Sequence, residues 1–427
     1  MANKNIYEFD AKKLIASELP KYFPNFNYHN KLVVVDSDSD LEQIISENPW
    51  INTEKVVIKP DQLFGKRGKA NLILLDATVD EMKEFCNKNL KRVCIISGIE
   101  GEINRLLVEP FVAHDKEYYI SITTDRDMDY IHFSFEGGIF VEENWDKVSH
   151  IPIPTGTDIM TFDLENVMPD LGNLKDVLIP FIKGLYQVFI DQDFAFLEIN
   201  PFAITDDKKI VPLDVKAKLD DTAAFLHLET WANPEKPFEF PGGFGQKLTP
   251  EEIMIRDLDE KTGASLKLRI LNPNGHIWTM VAGGGASVIY TDTIADLGFG
   301  AELGNYGEYS GNPSREHTEI YAQTIIDLIT SIPDSKDKYL IIGGGIANFT
   351  DVKATFTGIV TAIKNSVDKL KTAKVKIYVR RGGPNEKQGL ELMRQVGEET
   401  GIPIEVYDRY THMTRVVDLI KRAEESS

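Results

Sequence analysis

The sequence predicts an α/β chain of two domains, the second built on a doubly wound parallel sheet, and three observations carry this. Between residues 31 and 219, short apolar runs follow one another with few helical segments between them. Periodicity then stops at ANPEKPFEFPGGFG (232–245), a stretch rich in Pro, Gly and aromatics that reads as a domain boundary. Beyond it, GHIWTMVAGGG (275–285), YLIIGGG (339–345), VKIYVRRGG (375–383) and IPIEVYD (402–408) recur at intervals filled by helical patterns. Strands and helices alternating at that spacing imply parallel order, and such sheets bind ligands beyond the carboxyl ends of their strands. The domains are expected at 1–240 and 241–427.

In the first domain, KLVVVD (31–36), KVVIKP (55–60), NLILL (71–75) and RVCII (92–96) read as strands around the helical segments DLEQII (40–45) and VDEMKEFC (79–86). LLVEPFV (106–112), EYYISITTD (117–125) and YIHFSFEGG (130–138) continue with the alternation of a sheet covered on one face. FAFLEINPF (194–202) and KIVPLDVKAKL (209–219), joined by the mostly polar AITDDK, form a hairpin. On it Glu198 and Asn200, two apart, share a face, and Asp214 lies on the partner strand. Three convergent oxygen donors suit Mg²⁺, a hard cation that keeps room for phosphates, although on these residues alone a solvated hairpin with acidic decoration is the commoner arrangement. VVIKPDQLFGKRGKANL (56–72) adds Lys59 at the end of an apolar strand, then Lys66, Arg67, Gly68 and Lys69 in a loop. Those cations and that flexible backbone suit triphosphate oxygens.

In the second domain, Val352, Phe356, Ile359, Val360, Ile363, Val367 and Leu370 form one apolar helical stripe. The helix therefore starts between Asn348 and Asp351, a few residues after the triple glycine of IIGGGIANFTDV (341–352). Its free N–H groups and about half a positive charge favour an anion, and Asn348 and Thr350 add side-chain donors. Arg380 and Arg381 end another strand on the same sheet edge, where a guanidinium can clamp a carboxylate bidentately. GEYSGNPS (307–314) and the VAGGGAS turn can complete the rim with backbone donors. A tricarboxylate would meet several such groups.

Composition excludes other classes. With 427 residues, the chain is long enough for two or three buried cores. Its net charge of −20, from 47 basic and 67 acidic residues, leaves no broad basic field for nucleic acid or an anionic membrane surface. No stretch approaches the roughly 18 apolar residues of a membrane span. The opening MANKNIYEFDAKKLIASEL lacks the apolar core of a signal peptide, so a cytoplasmic protein is expected. Cys86 and Cys94 match neither a disulfide framework nor a zinc set and are expected as buried free thiols.

The motifs, taken in order, resemble a known family. KPDQL with KRGK, VEPFV, FLEINPF, LDVKAK, GASLKL, WTMVAGGGAS, NYGEYSG, LIIGGGIANFT, VRRGGPN and THMT are similar to the N-terminal, citryl-CoA-forming part of ATP-citrate lyase over nearly the whole chain. More distantly, the layout is similar to the β subunit of succinyl-CoA ligases, an ATP-grasp domain followed by a flavodoxin-like domain. The resemblance implies that Lys59, Arg67 and Gly68 contact ATP phosphates, that Pro110, Val112 and Glu117 line the adenosine end, and that Asn200 and Asp214 hold Mg²⁺. Asp259, Thr262 and the Ala264 backbone match positions that ligate a second, structural cation in the family, with Thr262 where the family has Ser. A locally capped loop is an equal reading of those three residues. Gly311, Asn348, Thr350 and Arg381 match the family's citrate-binding positions. Two departures are Gly345, where animal enzymes have serine, and Ser366, where a tyrosine is expected.

The family phosphorylates a histidine in a Gly-His-Ala-Gly type loop, and none of the eight histidines here has that setting. His276 alone follows a glycine, but Ile277 and Trp278 come next. The resemblance therefore implies a hetero-oligomer whose second subunit carries the phosphohistidine, the main CoA site and a lyase domain, with ATP, Mg²⁺, citrate and CoA as reactants. A stand-alone citryl-CoA synthetase subunit remains an alternative. A succinyl-CoA ligase subunit is disfavoured by Asn348, Thr350 and Arg381 together, and a non-catalytic citrate or nucleotide sensor by the magnesium-phosphate set.

Overall fold

The computed structural model describes residues 3–425 apart from 27, 29, 66, 69, 139–140, 232–239 and 333–335. Lys66 and Lys69 of the basic loop, and most of the linker, thus lie outside the described residues. The chain divides into two units, Met1–Lys247 and Leu248–Ser427.

In the first unit, an antiparallel sheet runs in the order Asn3–Ile6, Val215–Asp220, Phe194–Ile204, Glu117–Thr124, Met128–Ser134, Ser149–Pro154, with Ile210–Pro212 also on Phe194–Ile204. Leu178, Phe181, Ile182, Leu185, Val188 and Phe189 of helix Lys175–Asp191 are buried in the core beside this sheet, at steps of three and one that define a single helical face. A second antiparallel sheet, Val33–Asp36, Arg105–Pro110, Val56–Pro60, Leu74–Ala77, has its own core with helix Val79–Asn89, which Thr78 and Glu81 close with a capping box. The expected strand 209–219 is two strands instead. Leu213 and Asp214 interrupt it because both of their N–H groups turn to the Pro201 carbonyl, while Asn200 N–H donates to the Asp214 carbonyl. That break sets Asp214 beside Asn200. Cys86 is buried, but Cys94 is only half-buried, on a two-stranded ribbon whose Val93 and Ile95 are exposed.

In the second unit the four expected strands pair in parallel, Ile277–Ala282, Lys338–Gly344, Val375–Arg380, Ile404–Tyr407. Two strands absent from the sequence reading, Ser265–Ile270 and Asn305–Ser310, pair antiparallel with each other. Asn305–Ser310 runs beside Ile277–Ala282, which gives the flavodoxin-like order with the second strand outside the first. Its junction is made by a side chain. The buried Asn305 carboxamide accepts from Thr279 N–H at 2.8 Å and donates to the Thr279 carbonyl at 2.9 Å, replacing both ladder bonds of one residue. Asn305→Leu is expected to strand both groups, at about 1–3 kcal/mol each, and to speed hydrogen exchange at the Thr279 amide by roughly 100-fold. Unchanged exchange there would show that the backbone alone holds this edge.

The apolar stripe from Val352 forms a helix, Val352–Asn365, that breaks at Ser366 before a shorter helix, Val367–Thr372. No described helix is long and apolar enough to cross a membrane.

Candidate functional site

Charge inside the first unit gathers around its first helix, Glu8–Glu18. Positions 8, 11, 12 and 15 share one face, and all four are buried, although two of them are Glu8 and Lys12. Lys59 and Glu109 each interrupt an apolar run, VVIKP and LLVEP, on adjacent strands. Lys59 Nζ lies 2.6 Å from Glu8 Oε1 and 2.9 Å from Glu109 Oε1. Lys12 Nζ lies 3.0 Å from Glu8 Oε1 and 2.7 Å from Glu109 Oε2. Arg67 Nη1 lies 2.5 Å from Glu8 Oε2 and 3.8 Å from Asp214 Oδ1.

Three cations thus face three carboxylates in a low-dielectric setting, where an unpartnered charge is strongly penalised. Burial alone would raise the Glu8 carboxyl, but Lys59, Lys12 and Arg67 together hold it well below the usual carboxylate range. Asp214 goes the other way: burial raises it, and the more distant Arg67 only partly offsets this. Asp214 Oδ1 has no hydrogen-bond partner among the described residues.

Glu8 and Arg67 line a cleft of about 260 Å³ with Gln62, Phe64, Phe196 and Lys216. Gly68 is exposed on the loop beside Arg67. Asn200 Oδ1 accepts the Gly138 N–H at 2.7 Å, and Gly138, at φ +79°, leaves room for the Glu117 carboxylate where a Cβ would lie 2.4 Å from it. Pro110 ends its strand, Phe111 N–H donates to the Lys55 carbonyl, the Val112 carbonyl meets the His114 ring at 2.7 Å, and Glu117 is exposed.

One expected member drops out of the metal set. Glu198 pairs in register with Lys216, whose Nζ lies 2.9 Å from it, and also accepts from Tyr119, so its charge is already matched. Asn200 and Asp214 remain, an amide and a carboxylate of hard oxygen chemistry, and the inaccessible, unbonded Asp214 Oδ1 fits a cation.

In the second unit the triple-glycine turn, the arginine pair and the helix start come together. Ala347 N–H donates to the Gly382 carbonyl and Val352 N–H to the Pro384 carbonyl, which lashes the two strand ends side by side. Asp351, not Asn348 or Thr350, caps helix Val352–Asn365, accepting from Ala354 N–H at 3.0 Å. That leaves Asn348 exposed and Thr350 buried ahead of the cap. Asn312 Oδ1 accepts the Asp351 N–H at 3.2 Å and so brings Gly311, at φ +71°, to the same place.

The two arginines divide their work. Arg380 is committed to the fold, donating to the carbonyls of Gly344, Arg409 and Thr411. Arg381 is equally buried but gives one Nη1 bond to the Gly345 carbonyl, and its Nε has no hydrogen-bond partner among the described residues. Burial, with Arg380 adjacent, lowers its pKa from the ordinary guanidinium value, the sign of a cation short of counter-charge. An anionic ligand would supply the counter-charge that Arg381 lacks.

Asp259, Thr262 and Ala264 do meet, next to Gly311, where a Cβ would lie 3.2 Å from Ala264 Cα. However, Asp259 already accepts Leu266 N–H and Lys267 Nζ, and the Thr262 hydroxyl faces the carbonyls of Asp259 and Ala264. This is a capped loop with its carboxylate in use, and its donors do not fit a cation without rearrangement. At Gly345 a Cβ would meet nothing within 4 Å, so the family's serine would fit there. Ser366 sits at the far end of a 14-residue helix, roughly 20 Å from its start, bonded to Gln323. Its departure therefore removes no contact at the helix start. His276 is buried in the bend directly before the strand Ile277–Ala282, with Glu302 2.6 Å away.

Comparison with known proteins follows the same division. A family model described as the ATP-citrate synthase ATP-grasp domain matches residues 2–231, and one described as ATP citrate lyase citrate-binding matches residues 246–422. ATP-citrate synthase alpha chain protein 2 of Arabidopsis thaliana is 47% identical over 420 residues, 97% of this chain and 97% of that one. The chain belongs to the ATP-citrate synthase family. The family's mouse member, ATP-citrate synthase of Mus musculus, is 44% identical over 393 residues, which are 91% of this chain and 36% of that protein. Its archaeal member, ATP citrate lyase from Methanothrix soehngenii in complex with citrate and coenzyme A, has a TM-score of 0.91 at 46% identity, covering 98% of this chain and 99% of that one. The chain thus has the family's ATP-grasp and citrate-binding domains and the extent of its plant alpha chains.

Proposed function

We propose that this chain is the nucleotide- and citrate-binding subunit of an ATP-citrate lyase. One observation carries the reading: a cleft lined by Arg67, Lys216 and Lys218, with an unbonded Asp214 oxygen 3.8 Å from Arg67, and a turn with an under-bonded arginine stand in one chain that matches a citrate- and CoA-bound lyase over nearly its whole length.

In the first domain Lys59, Arg67 and Gly68 hold the ATP phosphates, and Pro110, Val112 and Glu117 border adenosine. Asn200 and Asp214 would hold Mg²⁺, which supplies charge neutralisation for the phosphates when bound. The γ-phosphoryl group passes to a histidine of a partner subunit, because the histidines here lack the required loop, and ADP leaves. In the second domain Gly311, Asn348, Thr350 and Arg381 hold citrate, and the helix-start N–H groups offset charge on the incoming phosphoryl group. Transfer from phosphohistidine to a citrate carboxylate gives citryl-phosphate. The CoA thiolate, bound mainly by the partner, then displaces phosphate to form citryl-CoA. The partner's lyase domain splits it to acetyl-CoA and oxaloacetate.

The test is to co-purify the partner and supply ATP, Mg²⁺, citrate and CoA. ADP, phosphate, acetyl-CoA and oxaloacetate are expected in equal amounts. Citryl-CoA accumulating without oxaloacetate would replace the lyase by a citryl-CoA synthetase.

A further inference from the structure

We infer that Glu8 is a resident counter-ion of the nucleotide site, holding Lys59 and Arg67 with one carboxylate until the phosphates of a nucleotide take its place. The inference rests on the reading of Lys59 and Arg67 as phosphate ligands and adds a residue on a different element.

Glu8 is 4% exposed and spends both oxygens on the two cations, Oε1 on Lys59 at 2.6 Å and Oε2 on Arg67 at 2.5 Å. It also borders the cleft, as does Arg67. Glu109, the other carboxylate paired with Lys59, touches Lys12 and Lys59 but not Arg67, and it is not among the cleft's lining residues. Glu8 is therefore the carboxylate that bridges both ligands from within the cleft. A carboxylate and a phosphate oxygen compete for the same guanidinium and ammonium donors. A buried cation short of counter-charge is penalised, so the phosphates take the two positions that Glu8 vacates, while Glu109 stays on Lys59 and Asp214 near Arg67. Lys12, 3.0 Å from Glu8 Oε1 and salt-bridged to Glu109, stays behind to pair with Glu8 when the exchange occurs.

The exchange makes nucleotide affinity the difference between two anions on the same cations. Glu8→Gln keeps the side chain's size and removes the competing charge. Measured by calorimetry on the full chain, it is expected to bind MgATP and MgADP about tenfold more tightly than the natural chain. Its melting temperature without nucleotide is expected to fall, and the rise on adding MgATP to be larger than in the natural chain. Glu8→Asp, too short by one methylene to bridge both cations, is expected to tighten binding less but in the same direction, and it serves if Glu8→Gln does not fold. A merely structural Glu8 would lower the melting temperature with no gain in affinity. Unchanged or weaker MgATP binding in both variants would overturn the inference. Lys59→Ala and Arg67→Ala separate the two levels. Loss of MgATP binding in these, without tightening in the Glu8 variants, removes the counter-ion role alone, whereas no loss in either removes the ATP-site reading beneath it.

Discussion

Arg381→Lys is expected to lower kcat/KM for citrate by at least about 100-fold, roughly 2.7 kcal/mol at 1.36 kcal/mol per decade, while ATP still phosphorylates the partner histidine. The size follows from what Arg381 lacks. It is 3% exposed, one of its terminal nitrogens is used on the Gly345 carbonyl, and its Nε has no partner among the described residues. A desolvated guanidinium in that state gains more from a carboxylate than an exposed one does, because its water is already gone. Lysine keeps the charge but loses the planar fork, so it cannot keep Gly345 and grip a carboxylate together. Arg380→Lys is the control. Its guanidinium bridges three carbonyls, so its loss is expected to lower stability and leave the KM for citrate nearly unchanged in the folded fraction. If Arg381→Lys left citrate dependence intact while Arg380→Lys changed it, the two roles would have to be exchanged.

That contrast shows where the sequence is legible and where it stops. VRRGG places two arginines at the carboxyl end of a strand, and Arg380 closes that strand with Arg381 directly after it. Successive side chains on a strand leave by opposite faces, but the motif does not say which face carries the carbonyls that will occupy one of them. The same limit hid the strand Asn305–Ser310. Its link to Ile277–Ala282 runs partly through a side-chain amide, and NYGEYS carries no apolar alternation to announce it. Glu198 leaves the metal set for a related reason: period two puts it on the face of Asn200, but the cross-strand Lys216 neutralises it. Glu8 and Lys12 fall outside the sequence reading, which takes the opening segment only as lacking the apolar core of a signal peptide. The signal that could have found them is their spacing. They fall on the helical face of Ala11 and Ile15, and a charge pair on a buried stripe needs a partner such as the lysine in VVIKP or the glutamate in LLVEP. The break at Asp214, which the strand expected over 209–219 runs through, has a signal in Pro212, a residue that cannot donate to a ladder.

Asp214→Ala is expected to slow phosphorylation of the partner histidine by at least about 100-fold, with citrate binding in the second domain unaffected. Two effects add. Asp214 Oδ1 is inaccessible to solvent and unbonded, and burial raises its pKa, so it is a charge that the apo chain pays to hold. A divalent cation would relieve that cost, and removing the carboxylate removes the relief along with one of two proposed ligands. Asp214 is also the second anion near Arg67, 3.8 Å away, and without it Glu8 is the one carboxylate left paired with Arg67 among the described residues, beside the Phe64 carbonyl that accepts from its Nε. The variant therefore loses charge neutralisation at the phosphates and part of the alignment of a phosphate ligand, both of which act on the transferred group rather than on adenosine. Asn200 remains, so raising Mg²⁺ is expected to restore part of the rate, and Asn200→Ala combined with Asp214→Ala to abolish that rescue. Single-turnover transfer of labelled γ-phosphate to the partner measures this directly. A full rate in the double variant would remove the metal site from this hairpin, and a loss in Asp214→Ala that Mg²⁺ cannot restore would assign Asp214 to holding Arg67 instead.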